Sequence, residues 1–383
     1  MNGPLSLTLL SFFTLLAYLY KGWHTGFAST FLYYILLTLI LYESLLYFTS
    51  FLKMEVMREI SSKRLQAGGK QFVTIKMKRK LPFPLIWYAA HERWPENMPF
   101  VPSQIVFPWF KKEIDITLEI PQLARGVYEL KEITIVCGDL FGLMKLDKTI
   151  DRLDQFIVYP RYDLLGTWSV KDGQHSGHAS IARRHSDELT SVVGVREYAY
   201  GDRLSQIHWK ATAKNHTLKT KEYEYHVSNH FAVFLDTRPS AYPDNAAFEK
   251  AIRLVASLIY LGKKRQLKYS LLLEGALGRA RMLEGAQEHD FFRVLEELAR
   301  LRLDGEGSVA SLVGQTLPQL PRGTHLVIVT SQVDRSLSVL LTDLAQKRTT
   351  VELFLASESS ADDQRMWIHK LQGSGVILHR ELA

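Results

Sequence analysis

FASTFLYYILLTLILYESLLYFTSFL, residues 27–52, carries one charge, Glu43, and is otherwise apolar or aromatic with a few hydroxyls. A helix rises 1.5 Å per residue and needs roughly 20 apolar residues to cross about 30 Å of hydrocarbon, so this run is long enough to span a bilayer with tilt. Upstream, LSLTLLSFFTLLAYLY, residues 5–20, is uncharged and sits at the short limit for a span. The connector Lys21 to Gly26 is short, which predicts a tight antiparallel pair of helices. MNGP offers no basic n-region and no A-x-A pattern follows, so the first segment reads as a span rather than a signal peptide. Tyr18, Tyr20, Trp23, Tyr47, Phe48 and Phe51 lie near the ends, where interfacial anchors belong. Glu43 is a turn or two inside the second span and is expected to snorkel to the interface.

Downstream, residues 53–80 hold Lys53, Arg58, Lys63, Arg64, Lys70, Lys76, Lys78, Arg79 and Lys80 against Glu55 and Glu59, which makes this stretch as positive as the whole 383-residue chain, +7. The positive-inside rule then places both termini and the bulk of the chain in the cytoplasm, with a two-pass anchor in the cell membrane. The stretch reads as a patch that anionic membrane lipid attracts. The remainder is neutral in sum, unlike the spread basic charge of a nucleic-acid binder, so no nucleic-acid partner is expected. The single cysteine, Cys137, excludes an intrachain disulfide and lies in an apolar run that reads as core.

From about residue 55 the hydrophobic period changes to two. Val73, Ile75 and Met77 alternate with polar residues, and Leu85 to Ala89, Ile105 to Phe110, Glu113 to Ile120, Gly126 to Leu130 and Glu132 to Cys137 read as further strands between Pro and Gly turns. Short strands without helical stretches predict a β-sandwich over residues 53–160. Residues 161–190 read as a linker containing the polar cluster from Gly173 to His178. From residue 230 strands and helices alternate: Phe231 to Asp236, Ala246 to Lys264, Leu267 to Leu273, Phe291 to Leu301, Thr324 to Thr330, Leu337 to Lys347, Val351 to Ala356, Asp362 to Leu371 and Gly375 to His379. That alternation predicts a parallel, doubly wound sheet over 230–383. The fold class is therefore α+β multidomain: a helical hairpin over 1–52, a β-sandwich, and an α/β domain.

Between them, residues 191–229 hold the densest motif, VREYAYGDRLSQIHWKATAKNHTLKTKEYE at 195–224. Asp202 after Gly201 suits a helix N-cap, Leu204, Ile207, His208 and Ala211 fall on one helical face, and Asn215 suits a C-cap. Leu218 to Tyr225 reads as a strand. Val195, Arg196, Tyr198, Gly201, Asp202, Ile207, Trp209, Lys210, Thr212, Ala213 and Lys214 match a run V-R-x-Y-x-x-G-D-x-x-x-x-I-D-W-K-x-[ST]-A-[RK], with His208 where Asp is common. On these residues the chain resembles the domain-of-unknown-function family 58. Arg125-Gly126-x-Tyr128, Gly138-Asp139-Leu140-Phe141-Gly142-Leu143 and Val158-Tyr159-Pro160 resemble further segments of that family, with Leu140 replacing a proline.

The resemblance implies a bacterial membrane protein whose C-terminal part is a von Willebrand factor A-like domain, found in company with a MoxR-type AAA+ ATPase. It implies a D-x-S-x-S cation site after the first strand of that domain. Here the run is Asp236-Thr237-Arg238-Pro239-Ser240: Asp236 and Ser240 remain as candidate ligands, Arg238 stands in place of the first serine, and Val329-Thr330-Ser331-Gln332 lacks the later Asp-Gly. Carboxylate and hydroxyl oxygens there would suit Mg²⁺, but a guanidinium repels or replaces a cation, so no cofactor is expected. The chain has no phosphate loop, no H-E-x-x-H, no C-x-x-C and no nucleophile elbow, and no catalytic residue is assigned. Arg196, Tyr198, Gly201, Asp202, His208, Trp209 and Lys210 read as a partner-binding surface or a structural brace, with Arg196 and Lys210 pairing with acids and Trp209 buried. The leading expectation is a non-enzymatic adaptor. The alternatives are an envelope hydrolase using Asp202, His208 and Lys210, or a metal-dependent adhesion module.

Overall fold

The structure, a computed structural model, describes residues 3–24, 26–52, 54–81, 86–95, 98, 101–165, 191–200, 202, 204–215, 217–224, 230–274, 279–347, 349–357 and 362–379. The chain forms two compact units, residues 1–161 with 295–301, and 162–294 with 302–383.

In the first unit, helices Gly3–Trp23 and Phe27–Thr49 form the hairpin. Both are long and apolar enough to cross a membrane. Their hydroxyls turn inward: Ser11, Thr14 and Thr49 each donate to the carbonyl four residues back. Such back-bonding is how hydroxyls are satisfied where water is absent. Leu15, Leu19, Phe31, Leu41 and Phe48 are exposed along the same helices, an arrangement unfavourable in water and suited to lipid. The helices meet through Tyr18 and Tyr33, ring centroids 5.7 Å apart. Glu43 does not snorkel. It is 1% exposed, and its neighbour Tyr42 is covered by Phe141 of a loop between the following strands.

Two sheets follow. Strands β1 (Glu55–Ile60), β3 (Gln71–Lys78) and β6 (Glu113–Ile120) form an antiparallel sheet in the order β1-β3-β6. The second sheet has the order β2-β8-β7-β4-β5, from β2 (Arg64–Gln66), β4 (Ile86–Glu92), β5 (Ile105–Val106), β7 (Gly126–Asp139) and β8 (Lys145–Tyr159). Val73, Ile75 and Ile116 from one sheet share a cluster with Tyr88, Leu130, Ile135 and Phe156 from the other. Leu46 and, at the margin, Leu7, Tyr42 and Phe51 of the hairpin stretch join it.

Several expectations are corrected. Ile105 to Phe110 is not one strand: β5 ends at Val106, and Pro108 begins a turn in which Trp109 has φ 48°. Gly126–Leu130 and Glu132–Cys137 are a single strand, β7, with a register shift between Leu130 and Glu132. β1, β2 and β8 were not anticipated. The basic stretch 53–80 is not one lipid-facing patch. Arg58 and Arg79 are buried, and Lys70, Lys76 and Lys78 pair with Glu119, Glu59 and Glu113, because these residues belong to sheet strands and their turns.

Arg58 of β1 points toward bonding partners in the other sheet. Its side chain has no exposure, and neither has that of its partner Glu92. Nε and Nη2 donate to the two Glu92 carboxylate oxygens at 2.9 and 2.8 Å. Nη1 donates to the carbonyls of Leu130 and Arg152 and to Asp154. A β1 side chain in one sheet thereby bonds β4, β7 and β8 of the other.

In the second unit, β9 (Ser191–Glu197) and β10 (Lys219–Glu224) pair antiparallel, with helix Trp209–Asn215 between them. A six-stranded sheet has the order β13-β12-β11-β14-β15-β16, from β11 (His230–Leu235), β12 (Lys268–Glu274), β13 (Ala280–Gly285), β14 (His325–Thr330), β15 (Val351–Leu355) and β16 (Ile377–His379). All neighbours are parallel except β12–β13. Fully buried HFAVFL and HLVIVT occupy the centre, as expected of strands covered on both faces. Helices Asn245–Lys264 and Arg335–Gln346 are N-capped by Asp244 and Asp334, each accepting at 2.7 Å from an amide three residues on. The edge strand β13 and helix Val309–Thr316 add to the expected alternation. The 161–190 linker falls mostly outside the described residues.

Removing one member of a buried ion pair costs about 3–5 kcal/mol, whereas replacing both with apolar groups is nearly neutral. Arg58→Met is therefore expected to lower the melting temperature sharply. Arg58→Met with Glu92→Leu recovers the part of the loss due to the stranded Glu92 carboxylate, as read by thermal denaturation of the detergent-solubilised chain; the carbonyls that Arg58 served stay unanswered in both. Equal losses in the single and double variants would contradict this account.

Candidate functional site

In open α/β sheets the ends of strands flanking the order reversal form the usual ligand crevice. Here the chain steps from β11 to β12 on one side and enters β14 on the other. Asp236 follows β11 and is 1% exposed. The guanidinium of Arg238 grips it from two residues on, Nε to Oδ1 at 3.1 Å and Nη2 to Oδ2 at 2.9 Å. Thr330 at the end of β14 donates its hydroxyl to Oδ2 at 3.0 Å. Asp334 stands 3.8 Å from the Arg238 guanidinium. The bond from Asp236 holds the Arg238 guanidinium charged above its ordinary range. The structure thus brings Arg238 onto Asp236, while Ser240 is exposed in the turn Pro239–Ala241. The family resemblance already sets the run Val329 to Gln332 at this site. The bond from Thr330 to Asp236 and the approach of Asp334 follow from the sheet order, which lays β14 beside β11.

Beside this cluster, Glu274 at the end of β12 accepts from the amides of Glu306 and Gly307 at 3.2 and 2.5 Å. Gly305 lies so close that a Cβ there would fall 2.2 Å from Thr237 Oγ1 and 2.6 Å from Glu274 Oε2. The cavity bounded by Asp236, Thr237, Glu274 and Ser308 is about 10 Å³, room for at most one water. A small-molecule pocket is typically ≈ 300–1,000 Å³.

The signature segment has a different geometry. Arg196 on β9 donates to Asp202 Oδ1 at 2.7 Å, and the amide of Ala199 and the hydroxyl of Thr220 donate to Oδ2. Arg196 and the Ala199 amide hold the Asp202 carboxyl below its ordinary value. Lys219 pairs with Glu197 at 3.0 Å. The expected continuous helix from Asp202 is instead a 3₁₀ turn, Leu204–Gln206, then helix Trp209–Asn215. The break has a cause: Ile207 bridges Thr220 and the His208 amide donates to the Lys219 carbonyl. His208 Nδ1 accepts from the Ala211 amide at 3.1 Å and so caps the short helix. Tyr198 donates its amide to Leu218. Trp209 is not buried but 67% exposed, with Tyr200 and Leu204 also exposed. Lys210 is exposed, and Gly201 lies outside the described residues. Asp202 is committed to Arg196 and Thr220, and His208 to the helix start.

These features define a mixed α/β protein with two N-terminal apolar helices, several sheets and a braced hairpin preceding the parallel sheet. Residues 194–362 match the family described as Protein of unknown function DUF58. The chain is 27% identical over 366 residues to "Uncharacterized protein YeaD" of Bacillus subtilis (strain 168), across 93% of this chain and 89% of that protein. A FixG-related protein from Vibrio parahaemolyticus covers 27% of this chain and 94% of its own at 14% identity, with a TM-score of 0.18, too slight a likeness to bear on the fold.

A carboxyl held below its ordinary value in the folded state contributes stability above the unfolded value and loses it as pH falls through the lowered one. Hydrogen exchange of the 196–202 stretch, corrected for intrinsic pH dependence, should therefore stay slow through the ordinary aspartate range and quicken only in stronger acid. Asp202→Asn should exchange quickly already at neutral pH. Equal protection in the variant would remove Asp202 from the brace.

Proposed function

We propose that the chain is a two-pass membrane protein with its bulk in the cytoplasm, acting as a non-enzymatic adaptor. In this reading a β-sandwich and a von Willebrand factor A-like domain present the signature segment to a MoxR-type AAA+ ATPase or to its client. The observation that carries the reading is the exposure of Trp209, Tyr200 and Leu204 on a segment braced by Arg196, Asp202 and Thr220. Exposed aromatics on a rigid support are the usual anchors of protein interfaces. Asp202 is engaged by Arg196, the Ala199 amide and Thr220, and the His208 ring is held through Nδ1 by the Ala211 amide. The order β13-β12-β11-β14-β15-β16 with one antiparallel edge strand is compatible with the A-like assignment. The partner class comes from the family resemblance.

At the strand ends, Arg238 serves as the built-in cation for Asp236. The expected outcome is that millimolar Mg²⁺ leaves the melting temperature of the wild type unchanged. Arg238→Ser, which restores a D-x-S-x-S run, is less stable in chelator and regains stability with Mg²⁺. A ligand at a hundredfold its Kd stabilises by about 2.7 kcal/mol. A Mg²⁺ response in the wild type would sink the internal-cation reading.

The adaptor reading is tested by co-purification from solubilised membranes under nucleotide-loaded conditions. The full chain should retain an AAA+ ATPase or client, and Trp209→Ala should release it by tenfold or more while keeping the wild-type melting temperature, because a central aromatic anchor contributes ≥ 2 kcal/mol. Failure of the wild type to retain any such protein counts against the adaptor.

A further inference from the structure

Two apolar loops emerge from the two-sheet unit beside the hairpin. The first joins β7 to β8. Asp139 closes it by accepting from the amides of Phe141 and Met144 at 2.7 and 2.8 Å, and Gly142 supplies the left-handed turn at φ 73°. Its tip presents Phe141, 66% exposed, and Leu140. This loop lies beside the second hairpin helix: Phe141 stacks edge-on to Tyr42 at 5.8 Å. Leu143 lines an apolar groove of about 590 Å³ with Leu10, Phe13 and Leu36 of the hairpin.

The second loop follows β5. Phe107, Trp109 and Phe110 are exposed, Phe110 at 70%, and Lys111 and Lys112 follow, also exposed. Arg79 fixes it, donating to the carbonyls of Trp109 and Lys111 at 3.0 and 2.6 Å. The same guanidinium lies over the ring of Tyr88, whose hydroxyl donates to the Ser50 carbonyl just past the second helix. The loop is therefore tied, through Arg79 and Tyr88, to the point where the chain leaves that helix.

Counting roughly 20 residues of helical rise from Phe27 puts the far edge of the hydrocarbon near Leu46. Tyr42 is four residues, about 6 Å, inside that edge. A loop touching Tyr42 therefore lies at the depth of the acyl boundary, and one tied to Ser50 lies at headgroup level. Aromatic residues favour this zone, and lysines beside it meet lipid phosphates.

We propose that the Asp139–Met144 and Phe107–Lys112 loops seat the two-sheet unit in the leaflet the second helix exits, with Phe141 and Phe110 in the acyl boundary and Lys111 and Lys112 on anionic headgroups. This rests on the membrane reading of the hairpin. It goes beyond a tethered unit, because the lipid fixes the orientation of the unit as well as its location.

The test uses the full chain in nanodiscs containing phosphatidylglycerol, with nitroxide labels at Phe141→Cys, Phe110→Cys, Leu16→Cys in the first helix, and Lys131→Cys. Lys131 lies eight residues, roughly 26 Å, back along β7 from Asp139. Cys137 is buried and stays unlabelled. Collision with oxygen against a water-soluble nickel chelate reads depth. The expected result is an oxygen-to-nickel ratio at 141 and 110 several-fold above that at 131 and approaching that at 16. Nickel-accessible labels at 141 and 110 with a lipid-buried label at 16 would overturn the seating while leaving the anchor intact. A nickel-accessible label at 16 would overturn the membrane reading and this inference with it. Lys111→Glu with Lys112→Glu should move the 110 label outward in phosphatidylglycerol discs only. An unchanged depth there would remove the role of the lysines.

Discussion

A guanidinium shut away from water joins the two sheets of the N-terminal unit. Arg58 is enclosed on every side and meets its needs from Glu92, Asp154 and three backbone carbonyls of the opposite sheet. Desolvating such an ion costs several kcal/mol unless its donors are matched. The irregularity in β7 is part of the match. The register shifts between Leu130 and Glu132, and both of their carbonyls turn to Arg58. The bulge leaves those carbonyls free to accept from the guanidinium.

Arg58 also shows where sequence reading runs out. Within a run of basic residues it looks like a surface charge, and its partners lie 34 and 96 residues away. Nothing local marks it as core. The parallel sheet was far more legible, because strands buried on both faces are unbroken apolar runs between amphipathic helices. β8 was missed for the opposite reason: KLDKTIDRLDQFIVY is mostly exposed along its first two thirds and carries charges on both sides of a weak alternation. At the strand-end site the Asp236–Arg238 pairing could be read from the chain, being two residues apart. The place of Thr330 follows from the family resemblance and not from the residues themselves, and Asp334 from neither, since strand order decides who stands beside Asp236. In the signature segment, helical spacing suggested one helix, and the bridge from Ile207 to Thr220 broke it.

The two clusters in the second unit share a design. Three of the polar groups that sequence suggests as reactive have local partners: Asp236 in Arg238 and Thr330, Asp202 in Arg196 and Thr220, and His208 Nδ1 in an amide. The outward side chains of the signature segment are mixed: Trp209, Tyr200 and Leu204 stand beside the exposed Lys210 and Lys214.

The hairpin is not a detachable tether. Leu46 is fully enclosed in the same cluster as Ile75 and Tyr128, Phe51 and Tyr42 lean on its margin, and Ser50 receives the Tyr88 hydroxyl. Trimming the chain after residue 52 to obtain a water-soluble fragment would strip one wall from the hydrophobic interior and leave a tyrosine hydroxyl without its acceptor. A fragment made that way would be prone to clump through the bared wall, and its behaviour would say little about the intact molecule. Solubilisation with the first fifty residues kept, in detergent or a lipid disc, preserves the wall.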